Sequence, residues 1–541
     1  MVGGGVSTTG PVIGETRLFS KANVRPLLYC SLAVFGAITY GYDGTYFTSI
    51  LQMTKFKEDY GVPLIVDGKA TVDITSAQRS VVTSIVQAGE FCGALLAGPF
   101  GDWYGRRGAF FGAIFFLCLG TILQLIVAGN LPLLGTGRAL VGVGVGFLAN
   151  STPLYLSEIS TAAIRGAVVG SWQLLLAIGQ VIGACVGQGT HNLTTTAAYR
   201  IPIGLNLFLA LVLFVAQFII PESPRWLVSK GRDEEAKKSL YKINKDQADP
   251  DIVVEMQYQS FQEAHQEEME MGKTGWMSLL HGVEARKLLI VCGTLTAQQI
   301  GGVQFIFSYT TTFFSASGIA DPFLVTIIVD IIEVVGVLCS FLVVNRFGRR
   351  PLLIYTSIPM AASLFVAGGL GRNANGLPVT TAENRALVAM ICIYVFFFNL
   401  AWGPLAWVIA SECAVGQNRQ KLMSLGSATF FVWAFVVAFT LPYLFDPEEA
   451  NLGSQIGFIY GPLTCVSLLF VYFCVPETRG RTLEEINEMI NAKVPTRKWT
   501  THISSLQRYD EVDDKDNASL SLFCDAIDLS PSKSSNTQFG L

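Results

Sequence analysis

What most limits the fold of this chain is the number of its apolar stretches long enough to cross a lipid bilayer. A helix rises 1.5 Å per residue, so about 20 apolar residues span the hydrocarbon core. Windows of that length begin near Leu27, Ser80, Ala109, Pro132, Val168 and Ile201, and again near Leu288, Pro322, Leu352, Ala386, Met423 and Ile456. They predict an all-α membrane protein with twelve transmembrane helices, because a spanning helix satisfies its own backbone in lipid. Composition agrees. With 51% hydrophobic residues, 14% charged and a mean hydropathy of +0.46, a water-soluble domain would be covered in sticky patches. The net charge of −4 is too small to suggest a nucleic-acid partner. Most of the 11 cysteines, Cys92, Cys118, Cys292 and Cys339 among them, lie in apolar runs without paired or metal-ligand spacing, and read as packing residues. The first apolar segment is too long for a cleaved signal peptide.

The segments divide the chain into a tail (1–26), a six-helix half (27–220), a charged linker (221–287), a second half (288–475) and a second tail (476–541). DEEAKKSLYKI in the linker has amphipathic spacing and too little apolar surface for a core, so short helices on the membrane face are expected there. The end of the chain, with RYDEVDDKDNASL and SPSKSSN, is acidic and Ser-rich and is expected to be disordered after about residue 500. One set of alternate loops carries 18 Lys and Arg residues and the opposite set carries seven. The positive-inside rule then places both tails and the linker in the cytoplasm. Of three Asn-x-Ser/Thr matches, Asn192 falls in an outer loop and is a candidate glycosylation site. Asn150 lies in an apolar run and Asn517 in the tail, so both read as chance.

The halves repeat each other. GDWYGRR (101–107) returns as NRFGRR (345–350), Glu158 with Arg165 returns as Glu412 with Arg419, and PESPRW (221–226) returns as PETRGR (476–481). Three ordered matches at offsets of 243 to 255 residues indicate parallel six-helix repeats, a transporter architecture with a site where the halves meet.

Several polar side chains interrupt the apolar runs. In QQIGGVQFIFSY (298–309), Gln298 and Gln299 lie about 16 Å into the seventh helix and point about 100° apart, so one neighbouring helix cannot serve both. Buried unbonded amides are costly, which favours a polar ligand over interhelical glue. Gln173 and Gln180 are two turns apart on one face of the fifth helix, and Trp402 falls within the tenth. Amides that donate and accept, beside an aromatic face, suit a sugar. Asp43 in helix one and Arg138 in helix four lie at similar depth and are expected to pair, fixed or changing as the halves rock. Glu90, Asp330 and Glu333 are further intramembrane carboxylates, the last two sharing a helix face. No nucleophile–base pair, metal cluster or phosphate loop is legible, so an enzyme is not expected and neither is a metal or organic cofactor.

From Leu27 to Ile486 the chain resembles the sugar porter family of the major facilitator superfamily. PESPRWL (221–227) and PETRGRTLEEI (476–486) carry the resemblance, with GRALVGVGVG (137–146), WGPLAW (402–407) and the paired GRR loops in support. YTTTFFSASGIADPF (309–323) and NRFGRRPLL (345–353) resemble fungal hexose transporters.

The resemblance implies alternating access to a small-molecule sugar at the plasma membrane, driven by protons, in a protein that works as a monomer. It implies sugar contacts at Gln173, Gln180, Gln298, Gln299, Gln304 and Trp402, although Trp402 also suits packing beside the Gly403-Pro404 kink. It assigns the proton site to Asp43 and its partner to Arg138. It reads Asp102, Arg106, Arg107, Glu158, Arg165, Glu222, Arg225, Arg349, Glu412 and Arg419 as ion pairs of a cytoplasmic gate. The chain departs from the family at Gln304 (usually Asn), Ser308 (usually Tyr), Phe430-Phe431 (usually Asn-Trp) and Glu333 (commonly Asn). Glu333 is therefore expected to touch sugar or hold a proton. Competing readings are a proton-independent sugar uniporter and a non-transporting sugar receptor.

Overall fold

The computed structural model describes residues 23–66, 69–160, 165–247, 249–270, 275–316, 319–370, 381–416, 418–446, 449–481 and 483–502. The first half runs α1 (Val24–Ile50), α2 (Thr54–Tyr60), β1 (Val62–Val66), β2 (Lys69–Asp73), α3 (Ser76–Ile126), α4 (Leu131–Ile159), α5 (Arg165–Thr190) and α6 (Ala197–Ile219). Three helices follow in the linker: α7 (Pro224–Ser229), α8 (Asp233–Asn244) and α9 (Pro250–Glu270). The second half runs α10 (Gly282–Ile300), α11 (Val303–Ala316), α12 (Pro322–Phe347), α13 (Arg349–Leu370), α14 (Thr381–Phe397), α15 (Gly403–Cys413), α16 (Arg419–Phe445) and α17 (Gly457–Cys474), before α18 (Leu483–Asn491). The acidic tail and Asn517 lie outside the described residues.

Among the described residues, eleven helical spans are long and apolar enough to cross a membrane. One of them, α3, has 51 residues, which is two crossings joined at Gly105. The fold therefore has twelve membrane crossings, six in each half, as the sequence predicts. Two crossings are broken inside the membrane. Gly302, at φ +85°, separates α10 from α11, and a π turn (Phe398–Trp402) separates α14 from α15. A Cβ at Gly302 would collide with the Tyr460 ring, so the bend needs glycine for both its dihedral and its space.

Seams within a half depend on small residues, as expected where lipid supplies no hydrophobic drive. Gly142 and Gly146 of α4 lie against the carbonyls of Val86 and Glu90 in α3, and side chains there would overlap those oxygens. The glycines of GRALVGVGVG are thus a packing surface that fixes α3 against α4.

The internal repeat has a physical basis. Gly105 and Gly348 adopt φ +85° and +89°, and each precedes two arginines whose backbone N–H groups begin a helix. Those orphan donors meet a carboxylate from the other repeated motif. Glu222 accepts from the backbone N of Arg106 and Ser223 at 2.8 and 2.9 Å, and from Arg107 at 3.2 Å. Glu477 accepts from Arg349 and Arg350, both at 3.0 Å. Burial pushes the Glu222 carboxyl above its ordinary range, and the N–H bonds oppose the shift. The carboxylate caps a helix N-terminus and complements its dipole. Replacing Glu222 by alanine is expected to destabilise the fold by about 1–3 kcal/mol, the cost of stranding buried donors. Thermal unfolding in detergent reads this as a lower Tm; an unshifted Tm would remove the carboxylate as a support.

Between α1 and α3, where the apolar windows leave a gap, the chain builds a lid. β1 and β2 pair antiparallel, Val62 opposite Asp73. Phe56 and Tyr60 of α2 pack on Tyr199 of α6, whose hydroxyl donates to Asp59 at 2.8 Å. This side is called the lid face, and the side carrying α7–α9 the linker face.

Candidate functional site

The halves meet along α1–α11, α3–α16 and α5–α12. On the lid face they are bonded shut. Asp446, at the end of α16, accepts from Ser76 Oγ at 2.6 Å and is ion-paired with Arg79, both on α3. Arg79 also reaches Asp73 of the lid at 3.3 Å. Nearby, Gln188 of α5 donates to Asp321 at 3.4 Å and His191 stacks on Phe323 with ring centroids 4.3 Å apart. Asn192 is exposed on this face.

Beneath this closure lies a cavity of about 140 Å³. One wall comes from α1, α3, α4 and α5; the other from α10, α11, the π turn, α15 and α16. It extends toward the linker face as far as Ala149 and Pro153 of α4 and Trp407 of α15.

The polar lining is mostly amide. Gln298 donates through Nε2 to the carbonyls of Trp402 and Gly403 at 2.8 and 3.2 Å, carbonyls that the π turn directs at it. Its Oε1 is buried with no partner. Gln304 donates to Gln299 Oε1 at 3.3 Å and accepts from Ser308 Oγ at 3.1 Å, so three side chains across the Gly301-Gly302 break form one chain of bonds. Gln87, Gln173 and Gln180 complete this amide lining, and Trp172, Phe307, Phe398, Trp407, Phe430 and Phe431 supply ring surfaces. An unbonded buried oxygen amid amides and rings is the chemistry that receives a polyhydroxylated ring.

Asp43 and Arg138 also line the cavity, each 2% exposed. Arg138 Nη1 donates to Asp43 Oδ1 at 2.9 Å and to the Tyr46 hydroxyl at 3.1 Å, with the guanidinium carbon 4.2 Å from the Phe47 ring centroid. Both residues belong to the first half. Rigid rocking of the halves therefore leaves the pair intact, contrary to the expectation that rocking itself changes the contact. Separation requires α1 to move against α4, or a proton to reach Asp43 through the cavity.

The family model described as "Sugar (and other) transporter" matches residues 29–490. The chain belongs to that family. The transporter is 35% identical over 463 residues to the "Probable glucose transporter rco-3" of Neurospora crassa, covering 84% of this chain and 77% of that one. It is 30% identical over 493 residues to the "High-affinity fructose transporter ght6" of Schizosaccharomyces pombe, covering 90% and 89%. Among solved structures it resembles the partially occluded inward-open xylose transporter XylE of E. coli, with TM-score 0.68, 22% identity, and 84% and 100% coverage. At that identity the likeness concerns the fold.

Five of the implied sugar contacts, Gln173, Gln180, Gln298, Gln299 and Gln304, line the transporter's cavity; Trp402 and Glu333 do not. Trp402 is 2% exposed and its indole donates to Ser357 Oγ of α13 at 2.9 Å, so the ring is turned into the second half. Trp407, one turn beyond Gly403-Pro404, lines the cavity instead. Glu333 is 1% exposed, and the Gln180 amide, oriented with its nitrogen toward α12, donates to both carboxylate oxygens at 2.8 and 2.9 Å. That contact joins the halves at mid-membrane and occupies the oxygens a sugar would need. Asp330, one turn away, keeps Oδ2 without a partner.

On the linker face Arg106 forks onto Glu158 at 2.9 and 3.0 Å and lies 3.5 Å from Asp102. Arg349 pairs with Glu412 at 3.1 Å. Each pair lies within one half. Arg107 enters through its backbone bond to Glu222, Arg225 lies in α7, and Arg419 begins α16. Arg165 opens α5, but its side chain lies outside the described residues. Sequence reasoning missed the lid-face bonds, because Arg79 stands just before an apolar window and nothing in the sequence ties it to a residue more than 360 positions away.

Proposed function

We propose that this protein is a plasma-membrane hexose transporter that works by alternating access and couples sugar to proton entry, with both termini in the cytoplasm. The observation that carries the reading is the amide-lined cavity between the halves, with Gln298 Oε1 unbonded and the Asp43–Arg138 pair opening into it. In this reading Gln173, Gln180, Gln298, Gln299 and Gln304 hold the sugar, and Trp407 takes the stacking role first given to Trp402. Asp43 carries the proton, with Arg138 stabilising its anion. The linker face, with its excess of Lys and Arg, faces the cytoplasm, and the lid faces outside. The inner pairs Arg106–Glu158 and Arg349–Glu412 brace each half, with Arg165, Arg225 and Arg419 completing the cytoplasmic gate when the lid face opens. Hexose as substrate is supported by relatives named for glucose and fructose, and proton coupling by a solved relative titled a proton:xylose symporter. The protein acts as a monomer with no cofactor beyond the proton.

The test is uptake of a monosaccharide panel by proteoliposomes with and without an imposed pH gradient. Hexose accumulation above the external concentration, collapsing with a protonophore, is expected. Equilibration alone would replace symport by uniport, and binding without uptake would replace transport by sensing.

A further inference from the structure

Glu90 is the one cavity-lining carboxylate, among the described residues, that no side chain answers. It is 8% exposed, lines the cavity from α3, and makes neither hydrogen bond nor ion pair. Its backbone is locked by the close approach of Gly146 on α4, so the side chain cannot withdraw by moving its helix. The charged and titratable groups that act on it are Asp43 and Tyr40 on α1 and Arg138 on α4; the same cavity is lined from α5 by Gln173 and Trp172 and from α16 by Phe430 and Phe431. Arg138 is already engaged by Asp43 and Tyr46. An unanswered carboxylate at membrane depth is retained only where something else satisfies it, and the cavity is the one direction left open.

We infer that Glu90 is a substrate-binding residue whose carboxylate accepts hydrogen bonds from sugar hydroxyls, making the first half a reader of hydroxyl donors. The proposal deepens the sugar reading above and rests on it. The amides across the cavity both donate and accept, so they tolerate a hydroxyl in either role. A carboxylate only accepts, and its bonds from hydroxyls are about twice as strong as neutral ones. Glu90 thus demands O–H groups at one edge of the ring, where deoxy and fluoro substituents fail alike because fluorine cannot donate.

The test is competition by glucose and by its monodeoxy and monodeoxyfluoro analogues against radiolabelled glucose bound to the purified protein, for the parent, Glu90→Leu and Glu90→Gln. In the parent, at least one position is expected to lose about tenfold as both the deoxy and the fluoro analogue. In Glu90→Leu, glucose itself is expected to bind about tenfold more weakly, and that position's deficit to vanish. Should the leucine variant fail to fold, Glu90→Gln, which keeps the shape and a neutral acceptor, is expected to shrink the same deficit at least threefold. Glucose affinity within twofold of the parent in Glu90→Leu, or deficits unchanged in a folded variant, overturns the proposal. A parent that binds neither glucose nor another hexose in direct binding overturns the hexose reading first, which separates the two claims.

Discussion

Replacing Asp43 by asparagine is expected to turn an accumulating transporter into an equilibrating one. The side chain is 2% exposed and its Oδ1 accepts from Arg138 at 2.9 Å. Asparagine keeps an oxygen to accept that bond, which softens the loss of Arg138's counter-charge, and thermal unfolding of the variant confirms that it is folded before transport is read. Removing Arg138 instead would leave an uncompensated buried charge, at a cost of about 3–5 kcal/mol. What asparagine cannot do is bind and release a proton. A gradient of one pH unit is worth about 1.4 kcal/mol, enough to concentrate sugar about tenfold at one proton per sugar. In proteoliposomes the parent should approach that ratio, and Asp43→Asn should stop at one while still exchanging sugar in counterflow. Continued accumulation by the variant would move the proton site elsewhere, with Glu90 the first place to look.

The second large effect is expected on the lid face, from Asp446→Asn. Asp446 and Arg79 have side chains 7% and 8% exposed, so their pair is shielded from water and salt. Together with Ser76 it bridges α16 to α3, and through Asp73 it holds the lid. The bonds of Asp446 to Ser76 and Arg79 join different halves, so they exist only while the lid face is closed. Weakening them costs the closed state alone, and breaking one partner of a buried pair is worth about 3–5 kcal/mol. Retaining even half of that would shift the equilibrium towards the open lid face by more than tenfold. Ser308, which lines the cavity, offers a reporter. A cysteine there, in a background otherwise free of cysteine, should react with an impermeant thiol reagent from the lid side at least tenfold faster in Asp446→Asn. Equal rates would mean that the clasp does not govern opening.

Much of this was legible in sequence because membrane physics is local. Apolar length marks each crossing, and the repeated motifs give the symmetry that Gly105 and Gly348 realise with matching dihedrals. The five glutamines stood out because an amide in lipid demands a partner. Other features depend on contacts that sequence does not carry. The direction of Trp402 is set by Ser357 on another helix, and Trp407 falls on the cavity side because the π turn shifts the helical phase. Glu333 is taken by Gln180 from the opposite half. The lid-face clasp joins residues hundreds of positions apart, and the hairpin beneath it follows from β1–β2 pairing in what read as a loop.

The most direct test of a sugar held between the halves is uptake and binding by the Gln298→Leu/Gln299→Leu double variant, inserted and folded as the parent is. Each amide lost is worth about 0.5–1.5 kcal/mol, so sugar affinity should fall roughly 5- to 150-fold. The proton-binding group, on the other wall, remains. Sugar flux and affinity equal to the parent's would contradict a central amide-lined site.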